Sequence, residues 1–261
     1  MAAMGESLIF GVIASSALVL GAIVGGRVRI PKRVLAAMLA FAAGALITAL
    51  TFELFEDSYE RGGIWRAAAG LIAGAVVFTV LSQQLDRMAE GRREEDHGSE
   101  KLDTDAAAAD RPPASASVSG AAGLALLAAV TLDGVPENVA LGVSLGEGTG
   151  GLALLAAIFV SNFPEALVGS ASMQAQGRSQ RFILGVWTIC AALLTVAVVV
   201  GAGPLSTTSP ETLSLPLAFA AGAVLASLAD TLMPEAYEQG GPTVALSTTA
   251  GFVLSYVLAT L

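Results

Sequence analysis

Apolar residues run along this chain in uninterrupted blocks of roughly 18–25 residues, the length that crosses a ~30 Å hydrocarbon layer at 1.5 Å per residue. Eight blocks can be traced, at 7–26, 34–53, 64–82, 119–145, 150–173, 182–202, 214–233 and 242–261. The pattern predicts an all-α polytopic membrane protein with eight transmembrane helices. No basic residue precedes the first block and no small-residue cleavage site closes it, so it reads as a span and not as a cleaved signal peptide.

Composition agrees with the blocks. Apolar residues make up 54% of the chain and charged residues 13%, with mean hydropathy +0.72, whereas a soluble domain carries about 25% charged residues. A water-soluble enzyme and a nucleic-acid binder are thereby excluded. The one cysteine, Cys190, leaves no intramolecular disulfide and no cysteine cluster for structural zinc.

Charge orients the spans. Arg27, Arg29, Lys32 and Arg33 follow the first block, and eleven of the 13 basic residues fall in loops on that same side. Only Arg61 and Arg66 lie opposite. By the positive-inside rule the first loop is cytoplasmic and both termini face out. The segment 85–118 is a long cytoplasmic loop with Glu94, Glu95, Asp96, His97, an alanine run and Pro112-Pro113. Its composition buries too little apolar surface to order itself, so it is expected to be disordered. This leaves one transmembrane domain organised as a first three-helix unit (1–84), the loop, a central hairpin (119–177) and a second three-helix unit (178–261).

The two outer units are related. Residues 41–63, FAAGALITALTFELFEDSYERGG, align without a gap on 219–241, FAAGAVLASLADTLMPEAYEQGG, with 11 of 23 positions identical. One copy runs inside to outside and the other outside to inside. Related segments of opposite orientation mark an inverted repeat, with substrate held near the midplane between halves. The arrangement expected is 3+2+3, and Ala43, Gly44, Ala221 and Gly222 are placed for close backbone approach.

The chemistry lies in the central hairpin. The fourth span carries Asp133, Pro136, Glu137 and Asn138; the fifth carries Ser161, Asn162, Pro164 and Glu165. Glu137 and Glu165 are equidistant from residue 151. Each is separated from the turn by a rise of ~15 Å, which puts both near the bilayer centre. A carboxylate there costs at least ~3 kcal/mol to insert, and two side by side do not both stay ionised without a cation. Pro136 and Pro164 free the carbonyls of Leu132 and Val160 as further oxygen donors. Asp133 with Glu137 and Ser161 with Glu165 stand at i and i+4, one face each. A divalent cation between two carboxylates gives a neutral assembly.

These motifs resemble those of the ZIP family of divalent-metal transporters. That family has eight spans, external termini, a cytoplasmic loop after the third span and paired Pro-Glu motifs on spans four and five. DGVPEN and SNFPEA occupy those places here. The resemblance implies a midplane metal site formed by Asp133, Glu137, Asn138, Ser161, Asn162 and Glu165. It implies no tightly bound cofactor, with zinc, manganese or iron as the transported substrate. It also implies an integral protein of a bacterial inner membrane, and it leaves a homodimer open. Asp133 stands where the family has histidine, Gly134 where it has asparagine, and Thr188-Ile189 where many members have Glu-Pro. The remaining set is mostly oxygen, harder than an imidazole site, and better matched to Mn²⁺, Fe²⁺ or Mg²⁺. Read from the residues alone, a non-transporting membrane scaffold and a proton or small-solute carrier remain alternatives. No enzyme is expected, since no Ser/Lys, Asp/Asp or His-rich set shares a depth. Asp230 and Glu53 are further acids near span ends, and Glu56, Asp57 and Glu60 form an acidic outer rim that would concentrate cations.

Overall fold

A computed structural model of the chain describes residues 2–28, 31–100, 120–147, 151–175, 177–205 and 207–260. The side chains at 2–4, 85, 86, 88–100, 120–130, 132, 133, 147 and 172 are not described. Every regular element among these residues is helical, as an apolar chain with no water to bond its backbone requires. In order they are α1 (Ala2–Gly25), α2 (Lys32–Ala49), α3 (Glu56–Glu100), α4 (Gly120–Glu147), α5 (Leu152–Ala175), α6 (Gln180–Val200), α7 (Pro210–Ser227), α8 (Met233–Gly240) and α9 (Val244–Ala259).

Five helical stretches among the described residues are long and apolar enough to cross a membrane, which makes the chain an integral membrane protein in kind. Two of them, Lys32–Gln84 and Pro210–Ala259, have 53 and 50 residues, more than twice the ~20 needed for one crossing. Each is broken near its middle by a glycine with positive φ, Gly63 at 73° and Gly241 at 64°. A side chain there would strain the backbone, and only glycine adopts this region freely. So α3 turns sharply at Gly63, and the chain turns again between α8 and α9.

The repeated segments share more than sequence. A π-helical turn at Leu50–Phe55 follows α2, and another at Leu228–Leu232 follows α7. The two begin at the offset that aligns Phe41 with Phe219, and the same offset separates Gly63 from Gly241. A π turn widens the helix by one residue and re-aims the side chains on it; Glu53 and Asp230 both stand on one.

Packing between the halves is made by glycine against backbone. A Cβ on Gly44 would run into the Thr248 carbonyl, and one on its repeat mate Gly222 into the Leu71 carbonyl. Gly74 meets the carbonyl of Phe219 in the same way, and Gly251 that of Phe41. Helix α3 thus lies against α7, and α9 lies against α2. One difference between the repeats falls at the ends of these helices. Ser58 donates to the Ser214 carbonyl at 2.7 Å, Ser214 donates to the Ser58 carbonyl at 2.8 Å, and their hydroxyls stand 3.1 Å apart. The repeat mates of Ser58 and Ser214 are Ala236 and Ala36, which pack without a polar group.

One boundary differs from expectation. Helix α3 continues to Glu100, well into the segment expected to be disordered from residue 85. Leu85–Glu100 is rich in Leu, Arg, Met, Ala and Glu, which favour helix whether or not they bury anything; low hydrophobicity argues against packing, not against helical backbone. The rest of that loop, 101–119, lies outside the described residues.

Two outcomes follow for thermal unfolding in detergent. Gly222→Ala should destabilise by about 1–3 kcal/mol, because the Leu71 backbone must move, whereas Gly185→Ala, with nothing within 4 Å of the added carbon, should be neutral or slightly stabilising. Ser58→Ala and Ser214→Ala should each cost about 1–3 kcal/mol, and the double variant should lose less than the sum of the two, since both act on one set of bonds. Full additivity would mean that the serines are not coupled.

Candidate cation site

Helices α4 and α5 each contain one interior proline, Pro136 and Pro164. Each lacks the N–H that would bond the carbonyl four residues back, so each helix is missing one hydrogen bond of its ladder immediately before a glutamate. Between them lies a cavity of about 10 Å³ lined by Glu137 of α4 and by Ser161, Asn162 and Glu165 of α5, room for about one water-sized body. Leu46 of α2 and Val224, Ser227, Leu228 and Leu232 on α7 and its π turn close the other sides. Four of the six expected site residues therefore meet.

The remaining two do not line this cavity as described. Asn138 is fully buried one residue beyond Glu137, a 100° step away around the helix. Its Nδ2 donates to the Gly134 carbonyl at 2.8 Å and its Oδ1 has no partner. The side chain of Asp133 lies outside the described residues. Ser227 is a hydroxyl that the sequence reading passed over. The only signal for it was a polar side chain in mid-span on a repeated segment whose mate, Ala49, is apolar.

The donors are of one kind. Ser161 donates its proton to the Ile158 carbonyl at 3.1 Å and keeps its lone pairs for another partner. Asn162 is 2% exposed with its Nδ2 unpartnered, and a half-turn of the amide brings the oxygen to that place. Among the described residues no three His, Cys, Asp or Glu side chains come together. The cavity thus offers two carboxylates, hydroxyls and an amide. Glu137 is only 4% exposed and Glu165 is half-buried, and carboxylates in such a place are stabilised by a shared proton, a cation or the hydrogen-bond donors around them.

A second recess, of about 370 Å³, lies at the other end of α2, lined by Glu53, Glu56, Asp57 and Glu60 with Ser144 beyond. Glu53 accepts from the backbone N–H of Leu154, one of the first-turn donors of α5 that have no partner within the helix, and its Oε2 is buried without a partner. Asp57 is bonded to Arg61 at 2.8 Å. The expected acidic rim is thus a walled recess. Asp230 is exposed and accepts from Ser82 at 2.8 Å, away from both recesses. Cys190 is buried in packing beside Thr131, 3.3 Å from its hydroxyl.

Comparison with protein-family models gives no match, and comparison with curated proteins gives none either.

Insertion of a carboxylate into this site costs more than insertion of an amide of the same shape. Glu137→Gln and Glu165→Gln, measured in metal-free detergent, should each unfold at or above the wild-type temperature. A drop of several degrees would show that the carboxylate is held by bonds an amide cannot make.

Proposed function

We propose that this chain is a ZIP-like transporter that moves divalent metal cations across the membrane toward the cytoplasm. In this reading the helices form eight spans in a 3+2+3 arrangement, α3 and the α7–α9 stretch each being divided at Gly63 and Gly241. The outer units are inverted repeats. Both termini face out and the long loop is cytoplasmic, in a bacterial inner membrane. The observation that carries the reading is the convergence of Glu137 and Glu165, from two Pro-Glu helices, on one narrow cavity with Ser161 and Asn162. The shared π turns and positive-φ glycines support the repeat. The acidic recess on the side assigned outside supports a cation supply, since it lowers the local potential. The cation is the substrate, with zinc, manganese or iron as candidates, and the oxygen-only donor set favours the last two.

Alternating access needs one end of the bundle to part while the other holds. The start of α3 is tied to α7 by the Ser58–Ser214 bonds, whereas their repeat mates Ala236 and Ala36 carry no group that could form such bonds. The end that holds the alanines is the one that opens more readily in this reading.

A proton carrier is the second reading, and the absence of a third acid, His or Cys among the described residues near the pair favours it, because two carboxylates alone are satisfied by one shared proton. Uptake into proteoliposomes separates the two. Zn²⁺, Mn²⁺ or Fe²⁺ should enter, faster as pH rises and then level, because both carboxylates must lose their protons before the metal binds. Glu137→Gln and Glu165→Gln should each abolish most uptake, Asp133→Ala should weaken it less, and Asp133→His should shift preference toward zinc. Proton flux without uptake of any metal would favour the carrier, and a flat response to both would leave a scaffold.

A further inference from the structure

A groove of about 600 Å³ runs along the outside of the bundle between α3, α4 and α7, and none of its ten lining residues has a polar side chain. Its α3 wall is low because Ala69, Gly70 and Ala73 stand there on one helical face. Pro136 and Val139 of α4 form the facing wall, with Leu215 and Phe219 of α7 along the floor.

Arg66 stands on the same face of α3, one turn above Ala69 and Gly70. It is exposed and belongs to no salt bridge among the described residues, whereas Arg61 is held by Asp57. Its stem packs over Gly62 beside Ser214, with Cδ 3.2 Å from where a Cβ on Gly62 would sit; the next residue, Leu215, is already groove wall. Trp65 is 86% exposed, and an exposed tryptophan beside an arginine belongs at the headgroup level. From Arg66 to Ala73 the helix climbs about 10 Å, which fits within one leaflet of a ~30 Å hydrocarbon layer.

An unpaired guanidinium over the mouth of a dry channel matches the two parts of a glycerophospholipid, the fork for the phosphate and the channel for an acyl chain. We propose that this groove binds one phospholipid of the outer leaflet, with its phosphate on Arg66 and a chain laid between Ala69 and Ala73 on one side and Pro136 and Val139 on the other. The inference rests on the membrane placement and orientation proposed above and not on the cation site. The lipid also acts on α4. Pro136 lines the groove while Glu137, the next residue and a 100° step around the same helix, lines the cavity. A chain seated against the proline ring fixes the helix where it lacks a hydrogen bond, and so fixes where Glu137 stands.

The test is native mass spectrometry of the full chain, extracted from membranes, stripped of lipid and titrated with dioleoylphosphatidylethanolamine, dioleoylglycerol or inorganic phosphate. One phospholipid should bind, the diacylglycerol about tenfold more weakly, as for the loss of one charge-assisted bond, and inorganic phosphate not at all over the same range. Arg66→Gln should bring the phospholipid down to the level of the diacylglycerol. Ala69→Leu and Ala73→Leu, both at exposed positions, should fill the groove and remove both ligands with the unfolding temperature unchanged. Equal phospholipid binding by wild type and all three variants would overturn the proposal. So would a dimer that Ala69→Leu splits and added phospholipid leaves intact, since a second copy would then fill the groove. A chain found only in the soluble fraction would instead overturn the membrane placement.

Discussion

Inside a bilayer the surrounding lipid is as apolar as the side chains, so helices are held together by close approach and not by escape from water. In this protein that approach is glycine against a backbone carbonyl, and the positions of all the central helices depend on it. Gly44, Gly74, Gly222 and Gly251 lock α3 onto α7 and α9 onto α2. The hairpin is held in the same way. Gly21 meets the carbonyl of Phe163, Gly25 that of Leu167, and Gly201 that of Val139. Phe163 and Leu167 bracket Glu165, and Val139 lies two residues beyond Glu137. Glu165 is thus carried by backbone that touches other backbone on both sides, and Glu137 by a helix whose following turn does so, through Val139 and Gly142, while Gly134 before it meets the Leu194 side chain.

That rigidity sets the energetics of the pair. A buried carboxylate on a mobile helix can turn toward water and recover its solvation, whereas one whose backbone is fixed within van der Waals contact cannot. The charge on Glu137 and Glu165 is then met inside the cavity by a proton, a cation or the hydroxyl and amide dipoles of Ser161, Asn162 and Ser227. The prolines contribute the compliance that remains. At Pro136 and Pro164 the helix lacks a bond, so each is a place where the frame yields without breaking a hydrogen bond.

Much of this was legible before any coordinates. The all-helical backbone, the helices long and apolar enough to cross a membrane, and the duplicated FAAGA segment depend on composition and order along the chain. Pro136-Glu137 and Pro164-Glu165 were legible because prolines and acids are rare at that depth. What escaped the sequence depends on the turn of each helix about its axis. A π turn shifts every later side chain around the helix, so no regular periodicity could say that Glu53 faces a recess while Asp230 faces out. Asn138 entered the expected site through the motif it shares with Glu137, but one residue is a 100° step around the helix, and its amide donates to the Gly134 carbonyl. Ser227 was missed because it comes from a helix distant in sequence that only the glycine contacts bring near. The helix beyond Leu85 was missed because polarity was taken as evidence about the backbone, when it bears on burial alone.

Under the proposed reading, the size of the cavity bears on which cation it takes. Space for about one water-sized body admits a bare ion and not one that keeps its hydration shell, so the ligands must replace water one for one. Mg²⁺ gives up water reluctantly and demands near-ideal octahedral geometry, which helices fixed by backbone contacts do not adjust to supply. Zn²⁺ accepts four ligands but prefers sites with nitrogen or sulfur, and every side chain on this cavity presents oxygen or carbon apart from the amide of Asn162. Mn²⁺ and Fe²⁺ suit carboxylate and carbonyl donors and lose water more readily than Mg²⁺. The donor chemistry ranks zinc below the harder ions and the narrowness ranks the strongly hydrated Mg²⁺ below the rest, and these two preferences together favour a hard but easily dehydrated divalent cation, which neither would do alone.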